Sequence, residues 1–256
     1  EWIAWMAITV ALFWLGPPRY RQYVLVGLTA AFLFQTAPVS LAVLLAMAGV
    51  ALLVCRRNHP SAWQVTLAIV LIVATLVHFK WGVGIDQQFY TEILIPLGLS
   101  YYALRVVHLI LERFMGRLDT VAINDIARYL LFLPTIQIGP IHRYGQFKRD
   151  LQRHRWAAAD IAGGIERIIF GYAKITFLGN FLVSGQFSGY IAQFELTDPA
   201  LYEYLDCVRY GANLYFQFSG YSDIAIGFSL LLGFHVMENF NFPFIKRNIS
   251  EFWRAW

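Results

Sequence analysis

Charge is what this sequence has least of. Only 14% of its 256 residues are Asp, Glu, Lys or Arg, against 58% hydrophobic and 17% aromatic, and the mean hydropathy is +0.53. So apolar a chain cannot cover itself with a water-soluble surface, which excludes an ordinary soluble domain and predicts an integral membrane protein. Cysteine is nearly absent. Cys55 and Cys207 are the only two, they fall in different apolar segments, and no metal-ligand spacing surrounds them, so neither a disulfide framework nor a metal site is expected. The sequence also lacks internal repeats, low-complexity linkers, a Gly-rich phosphate loop, a paired-carboxylate motif and a Ser-His-Asp arrangement. The serine of FSGYSD does not have the setting of a nucleophile elbow. A net charge of +4 does not point to nucleic acid, because the basic residues cluster in short loops between apolar runs, as cytoplasmic loops do under the positive-inside rule. The expected fold class is all-α: a polytopic transmembrane helical protein with broken and re-entrant helices, in a single membrane domain spanning residues 1–256.

What is present is a series of apolar runs. Residues 2–15 end at Gly16-Pro17-Pro18 with Arg19 and Arg21 following. This run is short for a span of about 20 residues, and the chain starts at Glu1 without a methionine, so it is read as a fragment. Residues 23–34 end in the uncharged loop 35–40, residues 41–54 in Cys55-Arg56-Arg57, and residues 65–79 in Lys80 and a loop with Asp86. The loop charge alternates between basic and near neutral, which assigns the first and third loops to the cytoplasm. These runs have no polar face, so they read as scaffold.

The next segments carry polar residues. Residues 93–115 form a fifth candidate span in which Arg105 and His108, three apart, share a helix face that must look into the protein or toward water. Either the pair faces substrate, or it is satisfied by backbone carbonyls or by snorkelling. Residues 122–133 are interrupted by Asn124, Asp125 and Arg128 and broken at Pro134 and Gly139-Pro140, and a basic run from His142 and Arg143 to Arg155 follows. A crossing there would put that basic run outside, so a re-entrant or interfacial helix fits better. The basic run reads either as a solvated face near anionic lipid or as a docking surface for an anionic donor. Residues 161–183 form a helix with Glu166, Arg167 and Lys174 toward its start, which orients it from cytoplasm to outside. Residues 184–199 then make an external loop, and Asp198-Pro199 starts the next helix, with Asp as N-cap and Pro in the first turn. His59, His78 and His235 read as interface or core residues.

Residues 215–256, YFQFSGYSDIAIGFSLLLGFHVMENFNFPFIKRNISEFWRAW, are the leading site candidate. Gln217, Ser219, Tyr221, Ser222, Asp223, Glu238, Asn239, Asn241, Trp253 and Arg254 lie there between aromatic rings. Each buried polar group costs several kcal/mol in hydrocarbon unless paired, so a segment that retains many of them surrounds something polar or holds a broken helix together. Ser219-Gly220 is the expected break point, Ser219 and Asp223 share a face, and Pro243 makes 241–244 a loop.

FSGYSDIAIG, ENFNFPF and ISEFWRAW, in that order, resemble the signature of the membrane-bound O-acyltransferase family, in the bacterial branch of alginate O-acetyltransferases and teichoic acid D-alanyl transferases. IPLGLSYYALRVVHLI and FLPTIQIGPIHRYGQFKRDL are similar to the same branch, while the first third of the chain matches only in character. Where the family pattern FDFSGYSD has its first aspartate this chain has Gln217, which keeps hydrogen bonding and loses charge. The resemblance implies an O-acyltransferase of the bacterial inner membrane, multi-pass, acetylating a cell-surface or exported polysaccharide. It further implies acetyl-CoA or another acyl thioester as donor substrate, with no tightly bound cofactor and no metal. The partners it implies are the lipid bilayer, an acyl donor that is acetyl-CoA or an acyl-carrier protein, and a polysaccharide acceptor reached directly or through partner acetylation proteins. Gln217, Ser219, Tyr221, Asp223, Asn239, Asn241, Trp253 and Arg254 would support a tunnel, and His142, Arg143, Arg105 and His108 are donor-side candidates. The catalytic histidine is expected C-terminal to Trp256, so this chain would be the N-terminal part of the fold and inactive by itself. Teichoic-acid-type D-alanyl transfer is the alternative chemistry. A transporter or flippase of lipid-linked sugars, or a membrane scaffold for polysaccharide export, would also place polar groups on broken helices.

Overall fold

The computed structural model describes residues 2–85, 96–153 and 156–256. All regular structure among the described residues is helical, the all-α class that the composition predicts. The loop with Asp86 and the start of the fifth span at Ile93 lie outside the described residues. Within the stretch read as one domain, the chain groups into two compact units: Glu1–Gln137 with Ile141–Arg155, and Ile138–Pro140 with Trp156–Trp256.

In the first unit the apolar runs become α1 (Trp2–Leu15), α2 (Arg21–Thr36), α3 (Pro38–Cys55), α4 (Ala62–Ile85) and α5 (Leu99–Phe114). Backbone groups in hydrocarbon must pair within their own segment, which is why uniformly apolar runs fold as helices. Pro38–Cys55 and Ala62–Lys80 are long and apolar enough to cross a membrane. Between α2 and α3 the expected six-residue loop shrinks to Ala37. Its N–H still donates to Leu33 O at 2.8 Å, and Pro38, which has no N–H to lose, opens the next helix. The C-terminus of α5 is tied to that of α3 by the Arg113 guanidinium, which donates to Arg57 O (2.5 Å), Asn58 O (2.7 Å) and Leu118 O (3.0 Å). Both helix ends therefore lie on the same side of the unit.

After α5 come two short helices, α6 (Ile123–Leu130) and α7 (Tyr144–Arg153), separated by a 3-10 turn at Leu133–Thr135 and irregular backbone. At ~1.5 Å per residue α6 is about 12 Å long, far short of the ~30 Å hydrocarbon core, so it does not cross. The irregular stretch is nevertheless buried, residues 129–136 almost completely. Its carbonyls need donors, and Arg105 supplies them from α5. Gly98, in the left-handed region at φ 73°, lets the stretch come so close that a Cβ there would lie 2.0 Å from Ile136 O.

In the second unit α8 (Ala158–Ala173) runs on through a π-helical segment at Lys174–Phe187 and two short turns, so the helix is continuous over Ala158–Phe194 and long and apolar enough to cross a membrane. The external loop expected from residue 184 is thus mostly helix. α9 (Pro199–Leu231) opens as expected, with Asp198 Oδ1 accepting from Leu201 N at 3.1 Å and Pro199 in the first turn. Its 33 residues make it about 50 Å long. It does not break at Ser219-Gly220, because Gly220 serves a different purpose. A Cβ on Gly220 would lie 2.7 Å from Gly171 O, one on Gly171 2.6 Å from Gly220 O, one on Gly164 2.8 Å from Gly227 O, and one on Gly227 2.6 Å from Gly164 O. Two glycine pairs, seven residues apart on each helix, bring the α8 and α9 backbones into contact, as small residues do between membrane helices. The chain closes with α10 (Ile249–Ala255), whose start is a reciprocal cap: Asn248 Oδ1 accepts from Glu251 N at 2.9 Å and Asn248 Nδ2 donates to Glu251 Oε1 at 3.0 Å.

Gly227→Leu is expected to push α8 from α9, lower thermal stability in detergent by about 1–3 kcal/mol and reduce membrane accumulation. Gly211→Ala, where a Cβ meets nothing within 4 Å, should be neutral or slightly stabilising in the same unfolding measurement.

Candidate functional site

The glycine contacts frame a carboxylate. Asp223 lies between Gly220 and Gly227 on α9, facing Arg167, which lies between Gly164 and Gly171 on α8, and Lys174, the first residue of the π-helical segment that continues α8. Lys174 Nζ is 2.5 Å from Asp223 Oδ2, and Arg167 Nη2 is 3.3 Å from Asp223 Oδ1. The same guanidinium nitrogen also pairs with Glu238, in the loop after α9. Two cations thus face two carboxylates, with the Asp223 side chain only 7% exposed and the two cations about a third exposed. Asn239 Nδ2 donates to Ser222 Oγ at 3.0 Å, fixing the loop to α9.

These groups line a pocket of about 390 Å³ together with Ser219, Tyr215, Asn241 and the rings of Phe240 and Phe242. The Ser219 hydroxyl is buried there and has no hydrogen-bond partner among the described residues. Phe242 is the one non-glycine residue with positive φ among the described residues (φ 47°, ψ 63°), a conformation that costs free energy and clusters at functional sites. Its own side chain is 69% exposed, and the residues on either side of it in sequence are the ones held in place. Tyr215 of α9, Phe240 and Phe244 of the loop, and Phe252 and Trp256 at the end of the chain pack in one ring cluster, with Tyr215–Phe244 at 5.1 Å, Phe240–Trp256 at 5.2 Å and Tyr215–Phe240 at 5.5 Å. Asn241 N donates to Ala255 O at 2.8 Å. The three sequence motifs are thereby joined into one wall.

Of the residues singled out from sequence, Ser219, Asp223, Asn239 and Asn241 meet at this pocket, and Ser219 and Asp223 share a face even though the helix is unbroken. Gln217 does not line it. Its Nε2 donates to Asn180 Oδ1 at 2.6 Å in the π segment, continuing the polar seam along the α8–α9 contact. Tyr221 is half-buried beside the pocket's elements without lining it, and Trp253 and Arg254 are exposed on α10. In the first unit Arg105 is wholly buried and donates to Tyr129 O (3.2 Å) and Thr135 O (2.6 Å), the carbonyl-satisfied arrangement. His108 instead faces Glu112, 3.5 Å away. His142 is buried among rings, edge-on to Tyr129 at 5.1 Å and Phe132 at 5.5 Å, with Thr135 Oγ1 3.4 Å from Nδ1. Its neighbour Arg143 is exposed. Arg167 and Lys174 were legible only as topology markers. Their seven-residue spacing, in step with Gly164 and Gly171, is the signal that places both on one face.

Chemically, the pocket offers a carboxylate fixed by two cations, a free hydroxyl, amide donors and acceptors, and ring faces, inside a helix pair of membrane character. It can bind and orient a polar group.

The chain is 32% identical to a protein of Azotobacter vinelandii named probable alginate O-acetylase, over 98% of this chain and 54% of that protein. It is 34% identical to the protein of that name from Pseudomonas aeruginosa, over 78% of this chain and 41% of that protein. A teichoic acid D-alanyltransferase of Bacillus subtilis is 34% identical over 62% of this chain and 41% of its own length. No family model matches the chain. The class is that of an all-α membrane protein with a polar pocket inside a helix pair. Over the portion it spans, the chain is similar to these acyltransferases, in keeping with the resemblance of its motifs to the membrane-bound O-acyltransferase family. It spans about half the length of the curated relatives it matches.

Removing the Asp223 carboxylate would leave Arg167 and Lys174 side by side. Asp223→Ala is expected to destabilise the protein by about 1–3 kcal/mol, less than a fully buried pair would lose because both cations are partly exposed. In a double-mutant cycle on thermal unfolding, Asp223→Ala with Lys174→Met should show clear coupling. Additive losses would mean that the ion pair carries no interaction energy.

Proposed function

We propose that this chain is part of an O-acyltransferase that acetylates a cell-surface or exported polysaccharide, with acetyl-CoA as the donor. The observation that carries the reading is the Asp223 pocket: its carboxylate, hydroxyl and amides come from the segments that resemble the family signature, in a chain of membrane character. Moving an acyl group from a thioester to a hydroxyl needs a base for the hydroxyl proton and a site that excludes water and aligns the two reactants. In this reading the pocket supplies the aligned, water-poor wall, and a histidine acts as the base. Asp223 orients the wall through Arg167 and Lys174, and Ser219, Asn239 and Asn241 contact the acceptor or the acyl group.

The proposed topology is multi-pass in the bacterial inner membrane, with the ends of α1, α3 and α5 in the cytoplasm. Arg19, Arg21, Arg56, Arg57 and Arg117 near those ends support it. With α8 starting at the cytoplasmic face, Arg167 and Lys174 lie ~14 and ~24 Å along it at ~1.5 Å per residue, within the depth of the ~30 Å hydrocarbon core. Donor would enter from the cytoplasm and acceptor from the other side. D-alanyl transfer is the second reading, favoured by the similarity to teichoic acid D-alanyltransferase.

The test uses the complete gene product in membranes, supplied with labelled acetyl-CoA, and measures label in polysaccharide. Wild type should transfer label, and Asp223→Asn should transfer at least tenfold less at equal protein level. Transfer of D-alanine but not acetyl by wild type would select the second reading. An unchanged rate in Asp223→Asn would remove this pocket from the reaction.

A further inference from the structure

Away from the Asp223 pocket, the first unit holds a second polar cavity of about 380 Å³, between the α1–α2 turn, α6 and α7. We propose that it binds the headgroup of an anionic glycerophospholipid.

Its wall is cationic and amide-rich: Arg128, Lys148, Gln22 and Gln152, with Asp125 as the one carboxylate. Asp125 is already engaged, with Arg128 Nη1 at 3.2 Å and the Tyr144 hydroxyl at 3.3 Å, while Lys148 Nζ is only at 4.0 Å. Two cations against one carboxylate leave a positive charge uncompensated at the cavity, and Lys148, 43% exposed, is free to swing toward a ligand. Gln22 and Gln152 spend their amides on no protein partner among the described residues, which leaves donors and acceptors for glycerol hydroxyls.

The surroundings favour lipid over a soluble anion. In the segments that supply the cavity wall and next to them in sequence, the Arg19 guanidinium lies 4.6 Å from the Tyr20 ring, that of Arg21 4.6 Å from the Trp14 ring, and that of Arg128 5.8 Å from the Tyr23 ring. Tyr and Trp rings carrying cations mark the level where hydrocarbon meets water. Pro18 and Leu151 give the wall its apolar part, and α7 packs Tyr144, Phe147, Asp150 and Leu151 against the protein while exposing Arg149 and Arg153, which adds two cations to the outer face of the helix that lines the cavity. Basic pockets between helices at that level select anionic headgroups.

The experiment places the complete gene product in phosphatidylcholine nanodiscs containing a minor fraction of phosphatidylglycerol, and counts lipids retained by native mass spectrometry. Lys148→Gln is the diagnostic variant, because Lys148 is held only loosely, 4.0 Å from Asp125 and 5.9 Å from the Tyr144 ring, and its loss should leave unfolding in pure phosphatidylcholine nearly unchanged. Wild type is expected to retain one phosphatidylglycerol at least fivefold more than phosphatidylcholine, and Lys148→Gln to lose that preference. Gln22→Ala with Gln152→Ala should weaken it further without altering unfolding. Equal retention of the two lipids by wild type, or an undiminished preference in Lys148→Gln, overturns the proposal. So does displacement of the bound lipid by coenzyme A or millimolar inorganic phosphate, which would assign the cavity to a soluble anion.

Discussion

A polar group in hydrocarbon has no water to turn to, and every part of this protein that departs from a plain apolar helix answers to that constraint. In the first unit the buried non-helical stretch after α6 would leave its carbonyls bare. The guanidinium of Arg105, completely buried, reaches across from α5 to Tyr129 O and Thr135 O. Arg113 does the same for the ends of α3 and the loop after it. Both arginines are thus backbone partners first, and that fixes where the broken segment can fold.

The second unit meets the same constraint with charges instead of carbonyls. Asp223 is tolerable inside a helix pair because Lys174 and Arg167 reach it, and they reach it because Gly164, Gly171, Gly220 and Gly227 let the two backbones touch. A larger residue at any of these positions would widen the gap and lengthen both ion pairs. Packing and electrostatics are one device here: the small residues set the distance, and the distance decides whether the carboxylate is paired. The polar groups then form a seam, from Glu238 through Arg167, Asp223 and Lys174 to Gln217 and Asn180, that runs along the helix contact.

The ring cluster gives the seam its open side. Tyr215, Phe240, Phe244, Phe252 and Trp256 pin the loop after α9 and α10 against α9, and Phe242, with its positive φ, lies in sequence between two of the pinned residues. Edge-to-face ring pairs are directional as well as apolar, so they can hold an irregular loop in one shape where a purely aliphatic patch would allow several. The pocket is therefore bounded by one rigid helix pair and one loop whose position rings and capping bonds define.

By itself the sequence determined the membrane character, the helical class, the places where helices start and stop, and the stretch where polar groups concentrate. These are local properties: apolar length, proline and Asp198 at helix starts, and the density of polar side chains among rings. Spacing also foretold that Ser219 and Asp223 share a face. Only the tertiary structure decided which cations meet Asp223, since Arg167 and Lys174 lie some fifty residues away in sequence and read there as mere markers of orientation. Nor could spacing tell that Gly220 is a contact point and not a break, because a glycine has the same sequence signature in either use and only the opposing Gly171 distinguishes them. The same holds for Arg105, whose partners are carbonyls of a distant irregular segment, and for Gln217, drawn to Asn180 by a π-helical stretch that no residue pattern announced. Long-range pairing depends on how closely two backbones approach, and that distance is set by packing across the helix contact, which a one-dimensional pattern does not contain.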